Sequence, residues 1–204
     1  MKALLIVGIV LLVLVLLLCL PLGLLAVYEE EGWTRLCPGT VVDLSSLEGT
    51  TCYCEEASAD EIRRAIAPYG PSGIHWIDSG DYHYLSLFWL EKVSEPFCLV
   101  LFDHHPDMQE PAFPMLSCGG WVRDALRLPM LRSVLLLGIS PQLLPHAEGF
   151  PAVRAVCEGD ELLAAPEKIA ALLPEGLPLY FSIDKDVLSR NVKWMTFSCG
   201  VNDV

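Results

Sequence analysis

The chain has 204 residues, 53% of them apolar, and carries 26 acidic against 13 basic side chains for a formal net charge of −13. That length suits one domain with an appendage, and the apolar content excludes intrinsic disorder. The acidic balance excludes a nucleic-acid binder, which would present a basic face.

The first feature along the chain is Ala3–Val27, which holds no charged side chain. A run of about 20 apolar residues crosses the hydrocarbon core of a bilayer. This one outruns the roughly 7–15 apolar residues of a cleaved signal peptide and lacks the small-x-small cleavage site. Residues 1–27 are therefore expected to be a membrane anchor or an uncleaved signal segment, making the chain a single-pass membrane protein. Lys2 on one flank, against Glu29–Glu31 and Arg35 on the other, leans weakly toward a domain outside the membrane's cytoplasmic side. Were the block a gene-model artefact, the domain would be cytoplasmic.

Residues 28–204 read as an α/β domain. Thr40–Leu44 is β-branched enough for a short strand. Ser58-Ala59-Asp60-Glu61 has the spacing of a capping box opening a helix through about Ile66, which Pro68 and Gly70-Pro71 end. Gly73–Asp78 predicts a strand, Leu85–Val93 a helix, and Phe97–Phe102 a fully apolar strand. Gly120–Leu128 predicts a helix with Arg123, Asp124 and Arg127 on its polar side. Ser133–Ile139 and Ala152–Cys157 predict strands, Pro166–Leu173 a helix with proline early in its first turn, and Leu177–Ile183 a last strand. The tail from Lys193 to Val204 has no clear period. Short apolar strands alternating with helices imply a mainly parallel sheet covered on both faces, a three-layer α/β fold.

Eight cysteines occur, and Cys19 lies in the apolar block, so the remaining number is odd and a complete intramolecular disulfide framework is impossible. Cys98 and Cys157 sit in apolar runs as small core residues. Cys52-Tyr53-Cys54 lacks zinc-ligand spacing. Reduced thiols are expected, which conflicts with an exported domain.

Ligands of open α/β sheets bind outside the carboxyl ends of the strands. Three predicted strand ends carry Asp and His there: Asp78–His83, Asp103–Asp107 and Asp184–Asp186. Clustered carboxylates repel one another unless a cation sits among them. In extended backbone Asp103, His105 and Asp107 share a face with His104 opposite, and Asp184 shares one with Asp186. Such a hard, oxygen-rich set favours manganese or magnesium over zinc, and four carboxylates suit two ions bridged by shared oxygens. A histidine such as His83, taken on its own, is more often an ordinary core or surface residue than a ligand. His75 and His146 read as structural, and Gly119-Gly120 is too short for a phosphate loop.

Asp103-His104-His105-Pro106-Asp107 resembles the Asp-x-His-x-Asp motif of the arginase–ureohydrolase superfamily. Ser182-Ile183-Asp184-Lys185-Asp186 resembles its Ser-x-Asp-x-Asp motif. Ser79-Gly80-Asp81-Tyr82-His83 resembles its Gly-Gly-Asp-His motif, with Ser for the first Gly and Tyr82 extra. The motifs stand in the family's order, and the stretch from about Tyr28 to Ser189 is similar to a bacterial arginase-like branch of unassigned substrate. The resemblance implies a three-layer α/β/α fold and two manganese ions held by His83, Asp103, His105, Asp107, Asp184 and Asp186. It also implies hydrolysis of a carbon–nitrogen bond in a guanidino or amide-like small molecule by a metal-bridging hydroxide, oriented by Asp107 as the catalytic residue. Three departures accompany it. Val187-Leu188-Ser189-Arg190 stands where Asp-Pro usually follows. No histidine matches the one arginases place between the two Asp motifs. The domain is expected to be incomplete at its C-terminus, where arginases carry a further carboxylate. The alternative expectation is a catalytically inactive, membrane-anchored domain that binds metal or a partner.

Overall fold

The computed structural model describes residues 39–188 and the backbone of residues 196–199. The expected anchor at 3–27 lies outside the described residues, and no described helix is long and apolar enough to cross a membrane.

The described strands are β1 (Tyr53–Cys54), β2 (Ile74–Ile77), β3 (Phe97–Phe102), β4 (Leu116–Ser117), β5 (Leu131–Ile139), β6 (Val153–Cys157), β7 (Leu179–Asp184) and β8 (Thr196–Cys199). The α-helices are α1 (Glu56–Ile66), α2 (Leu85–Leu90), α3 (Trp121–Ala125) and α4 (Pro166–Ala170). Six strands form the main sheet in the order β2-β8-β7-β3-β5-β6, while β1 and β4 make a separate ribbon. The run β7-β3-β5-β6 is parallel, and β8 is antiparallel to both its neighbours. The fold is thus α/β with a mainly parallel sheet.

The alternation of β3 distributes its side chains between two cores. Leu99 and Leu101 join Val134, Leu136 and Tyr180 beneath Ile62 and Ile66 of α1, Phe88 and Leu90 of α2, and Trp121 and Val122 of α3. Cys98 and Val100 join Leu135, Leu137 and Val156 on the opposite face, against Leu162, Ile169 and Leu173. Every residue of β3 but the last is buried, so its sequence has no polar positions to alternate with.

Several sequence expectations change. Thr40–Leu44 is not a strand: Asp43 Oδ1 accepts from the Ser45 N–H at 3.0 Å, turning the chain, and Val41 is left exposed. The helix expected to open at a Ser58 capping box begins at Glu56, with Glu55 as N-cap. Ser58 Oγ instead donates to the Glu48 carbonyl at 2.7 Å, tying down the preceding loop. The helices in 85–93, 120–128 and 166–173 are shorter than expected and relax into turns. The aperiodic tail contributes β8, which pairs between β2 and β7.

Gly138 near the end of β5 has φ of +91°. A Cβ there would collide with the Val187 side chain and stand 3.4 Å from the Asp103 carbonyl oxygen. Gly138→Ala should destabilise the protein by about 1–3 kcal/mol, read from the urea midpoint, because left-handed backbone and the Val187 turn both oppose the methyl group.

Candidate metal centre

The carboxyl ends of β2, β3 and β7 face one rim. Asp103 directly follows β3, and its N–H still donates to Leu137 of β5 at 3.1 Å. Asp184 ends β7, and a 3-10 turn over Lys185–Leu188 carries Asp186. His83 caps a second 3-10 turn, Gly80–Tyr82, after β2. All six expected ligands line one cleft of about 350 Å³, with Cys52, Tyr53, Gln109, Ser117, Cys118 and Gly119 around it.

Extended alternation is not what gathers Asp103, His105 and Asp107. Residues 103–107 form a bend, and Asp107 has φ of +49°. The bend brings Asp103 Oδ2 to 3.3 Å and Asp107 Oδ2 to 2.9 Å from the same atom, His83 Nδ1, with Asp184 Oδ2 at 3.8 Å. On the outer side, His105 Nδ1 lies 2.9 Å from Asp186 Oδ2 and 3.4 Å from Asp103 Oδ1. Two triads have ligand atoms close enough to hold an ion: His83, Asp103 and Asp184, and Asp103, His105 and Asp186. Asp103 belongs to both. In the inner triad His83 and Asp103 are buried and Asp184 partly so, whereas the His105 side chain is 47% exposed.

Backbone and side-chain donors hold these groups in place. The His105 N–H donates to Asp103 Oδ1 at 2.7 Å, the His104 N–H to Asp186 Oδ1 at 3.0 Å, and the Asp186 N–H to Asp184 Oδ1 at 3.1 Å. Ser182 Oγ sits 2.9 Å from His83 Nε2, leaving Nδ1 toward the carboxylates. Such outer contacts fix ring orientation in metal sites. Trp121, fully buried, donates its indole N–H to Asp107 Oδ2 at 2.7 Å. Sequence reasoning misses Trp121, because a tryptophan in an amphipathic helix carries the same pattern as any core residue.

The remaining expected residues sit apart. His104 turns away to Glu158 at 3.5 Å. His75 stacks on Trp89 with ring centroids 3.7 Å apart, and burial pushes its pKa down to about 4. His146 lies in a 3-10 turn outside the cleft. Cys98 is a core residue, and Cys157 is half-buried on β6.

The electrostatics fit a cation. Two unit charges 4 Å apart repel by about 4 kcal/mol at an effective dielectric near 20, and four carboxylates meet here. Burial, then the Asp103 charge, pushes the Asp107 pKa up to about 7, and the same two causes raise that of Asp184. Burial disfavours the His83 cation, yet its contacts with Asp103 and Asp107 drive its pKa up to about 10. Hydrogen bonding to Asp103 and then Asp186 raises His105 to about 10. Burial works against the Asp103 charge, but contacts with His105 and His83 hold its pKa below the ordinary value. Protons on these histidines and a bound cation would thus compete for the same ligand atoms.

No family model matches the chain. An uncharacterized protein of Thermotoga maritima is 38% identical over 166 residues, which cover 81% of this chain. The chain spans 62% of that relative's length. The likeness carries no stated activity.

The protons and the indole donor each give a measurable consequence. His83, His105 and Asp107 all have raised folded pKa values, so each contributes stability below its unfolded value and loses it as pH rises through the folded value. Without metal, the melting temperature should fall as pH climbs from about 7 to 10 through the two histidines, Asp107 having lost its share by about pH 7. Added manganese should raise it by a margin that widens over that window, since ions compete with protons for the same atoms; paired thermal melts measure both. Trp121→Phe keeps an aromatic ring but deletes the donor to Asp107. Loss of an outer-sphere partner should weaken metal affinity roughly 10–100-fold, read by calorimetric titration with Mn²⁺.

Proposed function

We propose that the chain is a metal-dependent hydrolase of the arginase–ureohydrolase type, cleaving a carbon–nitrogen bond of a guanidino or related small molecule. The observation that carries this reading is the sharing of Asp103 between two ligand triads, an arrangement suited to two ions side by side. The oxygen-rich donor set favours manganese. His83, Asp103 and Asp184 would hold one ion, with Asp107 beside them, and Asp103, His105 and Asp186 the other. A pair of divalent cations lowers the pKa of water enough to supply a nucleophile at neutral pH. The chain's own residues do the rest. Asp107, anchored through one oxygen by Trp121, faces the cleft to orient the attacking water. The neutral wall of Tyr53, Gln109 and Ser117 offers hydrogen bonds to a polar substrate without adding charge. The uncharged run at 3–27 supports a single-span anchor for this domain.

The test is reconstitution with Mn²⁺, followed by metal analysis and an assay for urea release from arginine and agmatine. The expected result is close to two ions per chain and product formation that depends on the metal. Asp103→Asn should lose most of both, because one substitution weakens two triads. Less than one equivalent in the parent overturns the metal reading. Full metal content without hydrolysis of guanidino or amide substrates would favour the alternative, a non-catalytic metal-binding or partner-binding domain.

A further inference from the structure

Two cysteines that the metal centre does not use face the same cleft. In the β1–β4 ribbon, Tyr53 pairs with Ser117 and Cys54 with Leu116 in antiparallel register. One further step along that ladder sets Cys52 opposite Cys118, and the Cys118 N–H donates to the Cys52 carbonyl at 2.9 Å. Residues facing each other across such a backbone bond have Cα atoms about 5.5 Å apart, inside the roughly 4.4–6.8 Å that disulfides span. Both thiols are free.

The backbone at Cys52 gives a second, independent observation. Cys52 has φ of +60°, a conformation uncommon outside glycine. It is held there by its own N–H, which donates to the Asp81 carbonyl at 3.2 Å, and by the bond from Cys118. Its Sγ also contacts Asp81 Oδ1 at 3.5 Å. Strain of this kind persists only where the surroundings impose it, and it concentrates at functional positions. The other described cysteines lack such an arrangement. Cys54 belongs to the main core, Cys98 to the opposite core, and Cys157 to β6.

We propose that Cys52 and Cys118 are a reversible redox pair that closes into a disulfide at the edge of the cleft. The oxidant is a low-molecular-weight disulfide of the glutathione kind. One protein thiolate attacks it, forming a mixed disulfide and releasing one small thiol. The second protein thiolate attacks the protein-side sulfur, forming the Cys52–Cys118 bond and releasing the other small thiol. The two thiol protons pass through solvent to the two released thiolates. The protein loses two electrons and the small disulfide gains them. The bridge ties the segment entering α1 to the strand before α3, and so couples the cleft wall to the thiol state around it.

The test is equilibration of the full-length chain with mixtures of oxidised and reduced glutathione, quenched by alkylation and read by peptide mass spectrometry. The expected product is a peptide pair joined through Cys52 and Cys118, lighter by two hydrogens, that appears with rising oxidant and disappears with dithiothreitol. Cys118→Ser and Cys52→Ser should each leave the surviving thiol as a mixed disulfide. The proposal is overturned if both thiols of the parent stay alkylatable at the most oxidising ratio, or if either pairs with a different cysteine. The parent chain alone decides between these outcomes, whether or not the serine variants fold.

Discussion

A carboxylate buried at the end of a central parallel strand cannot remain charged without positive charge beside it, and Asp103 is such a carboxylate. Desolvating an ion costs several kcal/mol even after relaxation. Asp103 is 1% exposed and is contacted by His83 on one side and His105 on the other. The two histidines belong to different triads, so the need of one carboxylate fixes the spacing of the whole centre. Asp107 and Asp184 approach the same His83 atom and raise the local negative charge further. Without a cation, protons would have to balance this, so proton release and ion uptake would be two sides of one equilibrium.

The sheet explains how distant segments meet at that carboxylate. Thr196 of β8 pairs with Ile77 on one side and Asp184 on the other, so β2 and β7 end at the same level. Two successive antiparallel pairings restore the strand direction, and β2 therefore points its carboxyl end toward the rim used by β3 and β7. Those ends stand about 9–10 Å apart, two strand spacings. The 3-10 turn at Gly80–Tyr82 carries the chain across that gap and delivers His83. Without β8 between them, His83 would have no fixed distance to cover.

The sequence shows the residues of the centre more clearly than their arrangement. Phe97–Phe102 is recognisable because a strand buried on both faces has to be apolar throughout, and Asp103 after it stands out for the same reason. β8 is not recognisable: Thr196–Cys199 is four residues long, and its place between two neighbours is set by pairing partners far away in the chain. The short ribbon of β1 and β4 is hidden likewise, and with it the opposition of Cys52 and Cys118. Strand alternation selects Asp103, His105 and Asp107 together, but for a geometry the chain does not adopt. In extended backbone Asp103 and Asp107 would lie about 13 Å apart, too far to meet one imidazole nitrogen.

The bend that closes that distance has an energetic cost, and its support is visible. Asp107 adopts φ of +49°, which aspartate tolerates better than most residues but which still costs of order 1 kcal/mol. Its carbonyl accepts the Val122 N–H at 3.0 Å, and its side chain accepts the Trp121 indole. Both donors come from the start of α3, whose Trp121, Val122 and Ala125 are buried in the main core. The bend is therefore held by groups that are themselves fixed in the core. Side chains placed in advance lose little freedom when a ligand arrives, and that is where preorganised sites gain affinity. The same reasoning separates the two halves of the centre. His83 and Asp107 are fixed from behind by Ser182 and Trp121, while His105 is half in solvent and is held chiefly by the carboxylates it touches.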